Sequence, residues 1–233
     1  MKSLKLLVIA GILISSNLFA FLGFGLQMGQ SMFSVDESNP ATGSQYITLT
    51  NGSFDGAYAF GGYFYFDALP FVDVEFGLNV RGNTYDISFS NDFGPMDPLE
   101  FAWLSTDMYL TLRKSIFSAS VPILGGVKIH AGGGFNRHLT TPIASLDMIT
   151  DLLGGGPDAL LTGNTDNLAD NIEDFLTDAD NYDEATGIHI QGGIQFKLLV
   201  LDTFLNYRYT IADDVVPDGG GFGSLNFRIG FGI

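Results

Sequence analysis

The feature that most constrains the fold is an alternation of apolar and other side chains that persists over unusually long segments. It is clearest at 72–81, where Val72, Val74, Phe76, Leu78 and Val80 alternate with polar, charged or glycine residues. Similar alternation covers 104–113, 127–132, 188–198 and 225–233, and weaker versions cover 21–30, 57–66 and 201–211. A period of two is typical of β-strands with one apolar face. The sequence therefore predicts an all-β chain of about eight strands.

The lengths of the strands and of their connections separate the two classes of β-protein that fit this pattern. Most of the strands have the roughly 9–11 residues that a tilted transmembrane strand needs, whereas strands of soluble proteins usually have about 5–6. The connections alternate between long ones at 31–53, 82–98, 136–183 and 212–221 and short ones at 67–70, 114–120 and 199–200. Barrels with short periplasmic turns and long outer loops alternate in this way.

Composition excludes several other classes. The chain contains no cysteine, which excludes a disulfide scaffold, a thiolate metal site and a cysteine nucleophile. Its net charge of −16 argues against binding to nucleic acid, whose phosphates attract Lys and Arg. No apolar run reaches the roughly 20 residues of a membrane-spanning helix. The choice lies between a soluble β-protein and a membrane β-barrel.

The first twenty residues have the pattern of a secretory signal peptide. Lys2 and Lys5 precede an apolar stretch from Leu6 to Ile14, and Ala20 is a candidate cleavage point. A basic start, a short apolar segment and a small residue at the cut are typical of such leaders. We therefore predict a signal peptide at 1–20 and a mature barrel at 21–233.

Most charges on the predicted strands lie on the face opposite the apolar one. The residues that share this polar face are Arg81, Arg113, Lys128, Lys197, Arg208, Arg228, Asp73, Glu75 and Asp107. Charges facing lipid would cost a few kcal/mol each near the midplane, whereas inside a narrow barrel they can pair. A lipocalin-like or sandwich protein would instead bury the apolar face and carry many Lys and Glu outside. We expect the polar face to point inward.

The leader, the alternating strands and the final segment Phe227 to Ile233 together resemble a small bacterial outer-membrane β-barrel family. The family's last strand usually ends in Phe, whereas here Phe231 stands two residues before the terminal Ile233. The resemblance implies a closed antiparallel up-and-down transmembrane barrel in the cell outer membrane. It also implies contact with outer-membrane lipids, and with the barrel-assembly machinery during biogenesis.

Eight strands enclose an interior just wide enough for side chains to fill, so we expect a plugged lumen. Some of the aromatic residues that lie near strand ends or on outer faces are expected to form interfacial girdles; the residues in these places are Tyr58, Phe60, Tyr63, Tyr65, Phe66, Phe71, Trp103, Tyr207 and Tyr209. For Tyr63, Tyr65 and Tyr109 the alternative is packing inside the lumen.

The segment 136–183 departs most from a minimal barrel because it has helical periodicity. Thr141 and Pro142 have the residue types of a helix N-cap and first turn. Apolar residues then recur at helical spacing up to Leu153, and a second helix is predicted over 165–178. We predict an extracellular helical insertion in the third outer loop. It would cap the lumen, cover a lateral opening for an apolar ligand or bind a partner, or else its helices would only pack against each other within a long loop.

Candidate binding residues lie on the strands that flank this insertion. His130 and His189 are expected to face the lumen near one another, together with Lys128, Gln191 and Asp107. The two histidines form either a metal site or an acid–base pair, or they simply belong to a polar network of the lumen, which is favoured. If the lumen binds a ligand, these five residues are the candidate ligand-binding residues. His138 is expected to be solvated in the outer loop. No metal or cofactor is predicted, because the acidic clusters at 178–184 and 213–218 lack the spacing of a calcium loop.

Three functions compete at this point. The first is a non-enzymatic outer-membrane barrel with a structural or surface-interaction role. The second is a carrier or channel for small apolar molecules gated by the 136–183 helices, which requires an apolar upper lumen and a lateral gap near Gly132 or Gly193. The third is a lipid-modifying enzyme, which requires a nucleophile and base at the lipid edge, where the predicted outer faces carry no histidine.

Overall fold

The computed structural model describes residues 22–40, 47–67, 71–91, 94–95, 98–121, 125–153, 168–217 and 219–232; the predicted signal peptide lies outside these ranges. The strands are β1 (Leu22–Val35), β2 (Ile47–Asn51), β3 (Phe54–Phe66), β4 (Asp73–Asn91), β5 (Gly94–Pro95), β6 (Leu99–Val121), β7 (Gly125–Thr140), β8 (Asp183–Leu198), β9 (Leu201–Ile211) and β10 (Phe222–Gly232). Helices α1 (Leu146–Leu153) and α2 (Leu168–Thr177) and a 3₁₀ turn (Ala179–Asn181) lie between β7 and β8. None of the helices described here is both long and apolar enough to cross a membrane.

Eight of the strands form an antiparallel ring. Its order is β4, β3, β1, β10, β9, β8, β7 and β6, and β6 pairs with β4 again, while β2 and β5 extend the sheet at β4. Register partners followed from strand to strand around the ring lead from Gly82 of β4 to Lys114 of β6. The residue before Lys114, Arg113, pairs with Asp73, so one circuit of the ring returns to β4 near Asp73 and not at Gly82. This stagger means that the strands are tilted relative to the axis of the ring. The predicted all-β antiparallel architecture of eight long strands is confirmed.

Several strands are longer than the sequence predicts. The sequence predicts a loop at 82–98, but β4 continues to Asn91 because it stays paired with β6 as far as Ile87–Leu99 and with β2 as far as Asn91–Ile47. The predicted connection 114–120 is strand as well, since β6 pairs with β7 up to Val121–Gly125. At the other end of β7, pairing continues to Thr140, so the helical segment starts after residue 140 rather than at 136.

The two faces of the ring have the orientation that the alternation predicts. Apolar side chains point outward and are exposed, as Ile190 (62%) and Leu112 (53%) illustrate, whereas Arg113 and Arg228 point inward and are at most 2% exposed. A water-soluble protein of this size buries its large aliphatic side chains. The exterior of this ring is therefore suited to a solvent other than water.

This polarity inverts along β4 and β6 at the pair formed by Gly82 and Leu104. On the side of the short turns, the inward residues are polar, as at Glu75, Asn79 and Arg81 of β4. Beyond Gly82 they are apolar: Tyr85, Ile87 and Phe89 of β4 and Phe101 and Trp103 of β6 are all buried, while the outward residues Thr84, Asp86 and Ser90 are exposed. The extensions of β4 and β6 therefore have the polarity of a water-soluble fold.

The extensions of β4 and β6, together with β2 and the two helices, enclose an apolar core. We call these elements and the core that they enclose the cap. Trp103 lies within it, 1% exposed and with its ring centroid 5.3 Å from that of Phe33, so its expected place at a strand end or outer face is wrong. The second helix lies within the predicted range 165–178, and its Phe175 packs against Phe101. The end of the ring that carries the cap is the capped end, and the opposite end is the turn end.

The first helix begins later than predicted. Ser145 is its N-cap, because the Ser145 Oγ accepts a hydrogen bond from the backbone N–H of Met148 at 3.2 Å. The predicted N-cap Thr141 instead uses its Oγ1 to accept a hydrogen bond from the backbone N–H of Leu104 at 2.9 Å. Thr141 thereby joins the chain after β7 to β6, and α1 starts one turn further on.

Candidate functional site

The interior polar side chains converge on one carboxylate, that of Glu75 on β4. Its oxygens lie 2.8 Å from Arg228 Nη1, 3.1 Å from Arg113 Nη1 and 3.8 Å from Arg208 Nη2. Gln191 Nε2 donates to the same carboxylate at 2.9 Å. Because Glu75 is 1% exposed, water contributes little to stabilising its charge, and the three guanidinium groups replace it.

Aromatic rings fill the space around these guanidinium groups. The Arg208 guanidinium carbon lies 3.8 Å from the ring centroid of Tyr109, and that of Arg113 lies 4.5 Å from the ring centroid of Tyr65. A cation over an aromatic face is attracted by the electrons of the ring. The inward packing considered for Tyr63, Tyr65 and Tyr109 is confirmed, since each is at most 4% exposed.

Towards the turn end, two further carboxylates pair with interior groups. Asp67 lies 2.7 Å from Arg113 Nη2 and 3.1 Å from Lys128 Nζ. Asp202 on β9 accepts hydrogen bonds from the Tyr65 hydroxyl and, at 3.2 Å, from Gln195 Nε2. These contacts extend the polar interior from Glu75 to the rim.

Towards the capped end, Asp107 on β6 holds a separate cluster. It lies 2.6 Å from Arg81 Nη2 and 2.7 Å from His138 Nδ1, and it accepts a hydrogen bond from the Ser105 hydroxyl at 2.9 Å. The expectation that His138 is solvated in a loop is wrong, because β7 continues past it and directs its side chain inward to 0% exposure.

His130 and His189 are not brought together as expected. His189 is the register partner of Gly134, and His130 is the partner of Gly193. The two histidines are thus offset by four positions, about 13 Å along the strand at 3.3 Å per residue. His189 Nε2 contacts the Thr111 hydroxyl at 2.8 Å, whereas His130 packs against the edge of Phe204.

The five predicted binding residues therefore lie inside the ring without forming one site. Lys128 contacts Asp67, Gln191 joins the Glu75 cluster and Asp107 holds His138, while His130 and His189 are separate from each other. A role for these residues in ligand binding stays a prediction. No three His, Asp or Glu side chains in the described ranges lie close enough together to hold a metal ion.

Sequence reasoning missed three interior partners: Asp67, Asp202 and Asn136. Asn136 Oδ1 lies 3.0 Å from His138 Nε2. The alternation carried a usable signal for two of them, because Asp202 shares the parity of Arg208 on β9 and Asn136 shares that of His130 on β7. Asp67 follows β3 in a predicted turn, where alternation gives no direction for a side chain.

No protein-family model and no curated protein sequence matches this chain. Among solved structures, the chain is similar to the outer membrane protein OprG of Pseudomonas aeruginosa, with 11% identity, a TM-score of 0.47 and coverage of 92% of this chain and 95% of that one. It is also similar to Ail, the attachment invasion locus protein of Yersinia pestis, solved with the heparin analogue sucrose octasulfate (10% identity, TM-score 0.39, 90% and 96% covered). A third is the N-terminal β-barrel domain of OprF from Pseudomonas aeruginosa (10% identity, TM-score 0.32, 91% and 99% covered).

Proposed function

We propose that this chain is an integral protein of the bacterial outer membrane, in which the ring forms a closed transmembrane β-barrel with a non-enzymatic, structural or surface-interaction role. The observation that carries the proposal is the exposed apolar exterior around an interior of buried charges. Monomeric soluble proteins rarely expose contiguous apolar patches larger than a few hundred Å². Here exposed apolar side chains occur on every strand of the ring; examples, one per strand, are Met28, Phe60, Leu78, Leu110, Phe135, Ile190, Leu205 and Ile229.

The backbone supports the same proposal. A strand in hydrocarbon must pair on both sides, because unpaired N–H and C=O groups have no water to bind. Each of the eight ring strands has two antiparallel neighbours, and the return pairing of β6 with β4 covers fifteen register pairs from Asp73–Arg113 to Ile87–Leu99. The strands of the ring thus have the pairing on both sides that a sheet needs in order to span a bilayer.

The inversion of polarity at Gly82 and Leu104 supports a membrane boundary at that level. On the turn-end side of this level, outward residues such as Val80 and Leu110 are apolar. On the capped-end side, the outward residues of β4 are polar. The cap therefore lies in water under this proposal. Because the long connections gather on the same side, and outer loops of such barrels are the long ones, the cap is the extracellular part.

The surface of the cap is acidic, which gives it the character of an interaction surface. Exposed acids on the cap include Asp86, Glu100, Asp147, Asp151, Glu173 and Asp174. The interior of the ring is filled by paired side chains, so we propose that function depends on this outer surface and not on a pore. The outer-membrane lipids and, during biogenesis, the barrel-assembly machinery are the partners that this role implies.

The two competing functions find less support. A carrier with a lateral gap near Gly132 or Gly193 requires an interrupted ladder, but β7 and β8 are paired at every position from Gly125–Leu198 to Thr140–Asp183. The apolar upper interior that a carrier needs is present, but the packed core of the cap occupies it. A lipid-modifying enzyme needs a base at the lipid edge, and all three histidines are buried inside the ring.

Reconstitution of the purified full chain into planar lipid bilayers tests the proposal. We expect the protein to insert into vesicles and to resist extraction with carbonate, and to give little or no conductance. A large stable conductance would contradict the filled interior, and recovery of folded protein in the aqueous phase without detergent would contradict the membrane assignment.

A further inference from the structure

One strand of the ring has an open side at the turn end. β6 pairs with β4 only as far as Asp73–Arg113, but it continues over 114–121 and stays paired with β7 over this length. The extension runs for about 26 Å at 3.3 Å per residue. No strand pairs with its other side in the part of the chain that the structure describes. We call residues 115–121 the free edge of β6.

The pairing of β6 with β7 shows which backbone groups point to the open side. The Thr141 N–H donates to the Leu104 carbonyl at 2.9 Å, and residues bonded to the neighbouring strand alternate along an antiparallel pair. Counted back from Thr141 in steps of two, this series includes Val127, whose register partner is Ala119. The N–H and C=O of Ala119 therefore point to β7, and those of its two neighbours point to the open side.

These neighbours, Ser118 and Ser120, present backbone donors and acceptors to whatever approaches the free edge. Another extended backbone satisfies such a row, because it carries donors and acceptors at the same spacing. Natural proteins protect strand edges with charged residues, proline or bulges. This edge has a bulge between Ser115 and Phe117, but it contains neither a charged residue nor proline from 115 to 121. Most of it is therefore open to the addition of a strand.

The outward side of the free edge is apolar. Phe117 and Val121 are exposed, and a depression of about 500 Å³ extends from Ala119 and Val121 across β7 to Phe196 and Leu198 of β8. An added strand would place every second side chain on this side of the sheet. Apolar side chains at those positions would cover apolar surface that β4 does not reach.

Charge indicates that the added strand is acidic. The stretch 108–146 contains four basic residues and no Asp or Glu, although the whole chain has a net charge of −16. Two of the four lie at the free edge: Lys114 precedes it, and Lys128 is the register partner of Ser118. Lys128 contacts Asp67 at 3.1 Å, whereas Lys114 is exposed and forms no ion pair within the described ranges. Carboxylates are therefore attracted to this edge.

β4 itself shows which side-chain pattern β6 accepts from a neighbouring strand. Asp73 and Glu75 point inward, where both face Arg113, and Val74 and Phe76 point outward. A strand of alternating acidic and apolar residues that continued β4 beyond Asp73 would repeat this arrangement along the free edge.

We propose that the free edge of β6 binds an extended acidic segment of another protein, which adds to the sheet as an antiparallel strand with alternating acidic and apolar residues. Its main chain bonds to Ser118 and Ser120, and its apolar side chains cover Phe117 and Ala119. A second copy of this chain is disfavoured, because its own edge carries the same basic charge. Binding depends on the sheet edge alone; only the location of the partner in the periplasm rests on the membrane assignment.

A short synthetic peptide that alternates valine and aspartate provides the first test. The peptide carries a fluorescent label and is titrated with detergent-solubilised full-length protein, and its fluorescence anisotropy is recorded. In one control peptide serine replaces aspartate, and in another every backbone nitrogen is methylated. We expect saturable binding of the valine–aspartate peptide, weaker binding of the serine peptide and no saturable binding of the methylated one. No saturable binding of the first peptide, or equal binding of either control, would overturn the proposal.

Variants locate the binding at the free edge. Ser118→Pro and Ser120→Pro each remove a donor that points to the open side and leave pairing with β7 intact, so each should weaken peptide binding by about three- to tenfold. The matched controls Ser118→Ala and Ser120→Ala keep the N–H and should bind as the unmodified protein does.

The contribution of charge has its own pair of variants. Lys114→Gln should weaken peptide binding by about two- to fivefold, the range of an exposed ion pair. Arg137→Gln, near the capped end of β7, should leave the affinity unchanged. Unchanged affinity in both proline variants, or equal losses in the alanine variants, would contradict strand addition. A dimer of the solubilised protein that the proline variants abolish would assign the edge to a second copy and overturn the proposal.

Discussion

Arg228 on β10 and Glu75 on β4 form an ion pair of 2.8 Å inside the ring, although their strands are not neighbours. The contact crosses the lumen between two strands that β3 and β1 separate in the ring. Glu75 also lies 3.1 Å from Arg113 and 3.8 Å from Arg208, so one carboxylate faces three cations, of which Arg113 also pairs with Asp67. Removing one partner of a buried pair leaves an uncompensated charge, which costs far more than the pair contributes.

Glu75→Gln should therefore lower the free energy of unfolding by about 3–5 kcal/mol, because three guanidinium groups lose their shared counter-charge. Urea unfolding in lipid vesicles, followed by Trp103 emission, measures this loss. Glu100→Gln, at an exposed position of the cap, is the matched control and should change stability little. Equal urea midpoints for Glu75→Gln and the unmodified protein would show that the cluster contributes nothing to the fold.

The separation of His130 from His189 predicts independent energetics. Substitutions at sites without shared contacts usually add to within about 0.5 kcal/mol, so the double variant His130→Ala/His189→Ala should lose the sum of the two single effects. Asp107 and His138 are in contact at 2.7 Å, and their double-mutant cycle should give a clear coupling energy. The same vesicle unfolding assay measures both cycles. Strong coupling between His130 and His189 would place them together and contradict the register.

The attachment of α1 to the cap depends on Ala144, whose two backbone groups are both hydrogen-bonded to side chains. Its N–H donates to the Tyr85 hydroxyl at 3.0 Å, and its carbonyl accepts from Asn51 Nδ2 at 2.9 Å. Tyr85→Phe removes the first bond, which costs about 0.5–1.5 kcal/mol. Hydrogen exchange should therefore accelerate over 144–153 and stay unchanged in β9 and β10. Uniform acceleration would mean that the cap and the barrel unfold as one unit.

The cap should also lose stability at high pH. Burial raises the pKa of Tyr85 from 10.0 to about 12. The folded cap favours the neutral phenol. The free energy by which this preference stabilises the folded state is fully present below pH 10 and is lost as the pH rises from 10 through about 12. Trp103 emission should shift to the red over that interval, and Tyr85→Phe should lack this component. Superimposable pH curves for the two proteins would contradict it.

The sequence predicts the ring well because alternation directly encodes which side chain faces which solvent. The alternation continues through 82–91, but the apolar side chains change face. Tyr85, Ile87 and Phe89 stand at odd-numbered positions on the inward face, where the charged residues Glu75 and Arg81 stand nearer the turn end. A prediction based on one continuous apolar face therefore ends the strand at that change and places the following residues in a loop. The strand continues because its neighbours β2 and β6 keep the backbone paired.

The interior contacts are harder to predict than the faces. Alternation places His130, His189, Gln191 and Asp107 inside, but the distances between them depend on the register of neighbouring strands. Register follows from where each hairpin turns, and a shift of a few residues moves a side chain by about 10 Å. His138 illustrates the same limit, because its location depends on whether β7 ends at residue 135 or 140.

The membrane assignment is tested most directly along β4, where one strand crosses the proposed boundary. The chain has no cysteine, so single cysteines can be placed in turn at the outward positions 76, 78, 80, 84, 86 and 88 and labelled with a fluorophore. In vesicles that contain a lipid-attached quencher, we expect strong quenching at 76, 78 and 80. At 84, 86 and 88 we expect weak lipid quenching and strong quenching by aqueous iodide. Iodide access at all six positions would contradict the account.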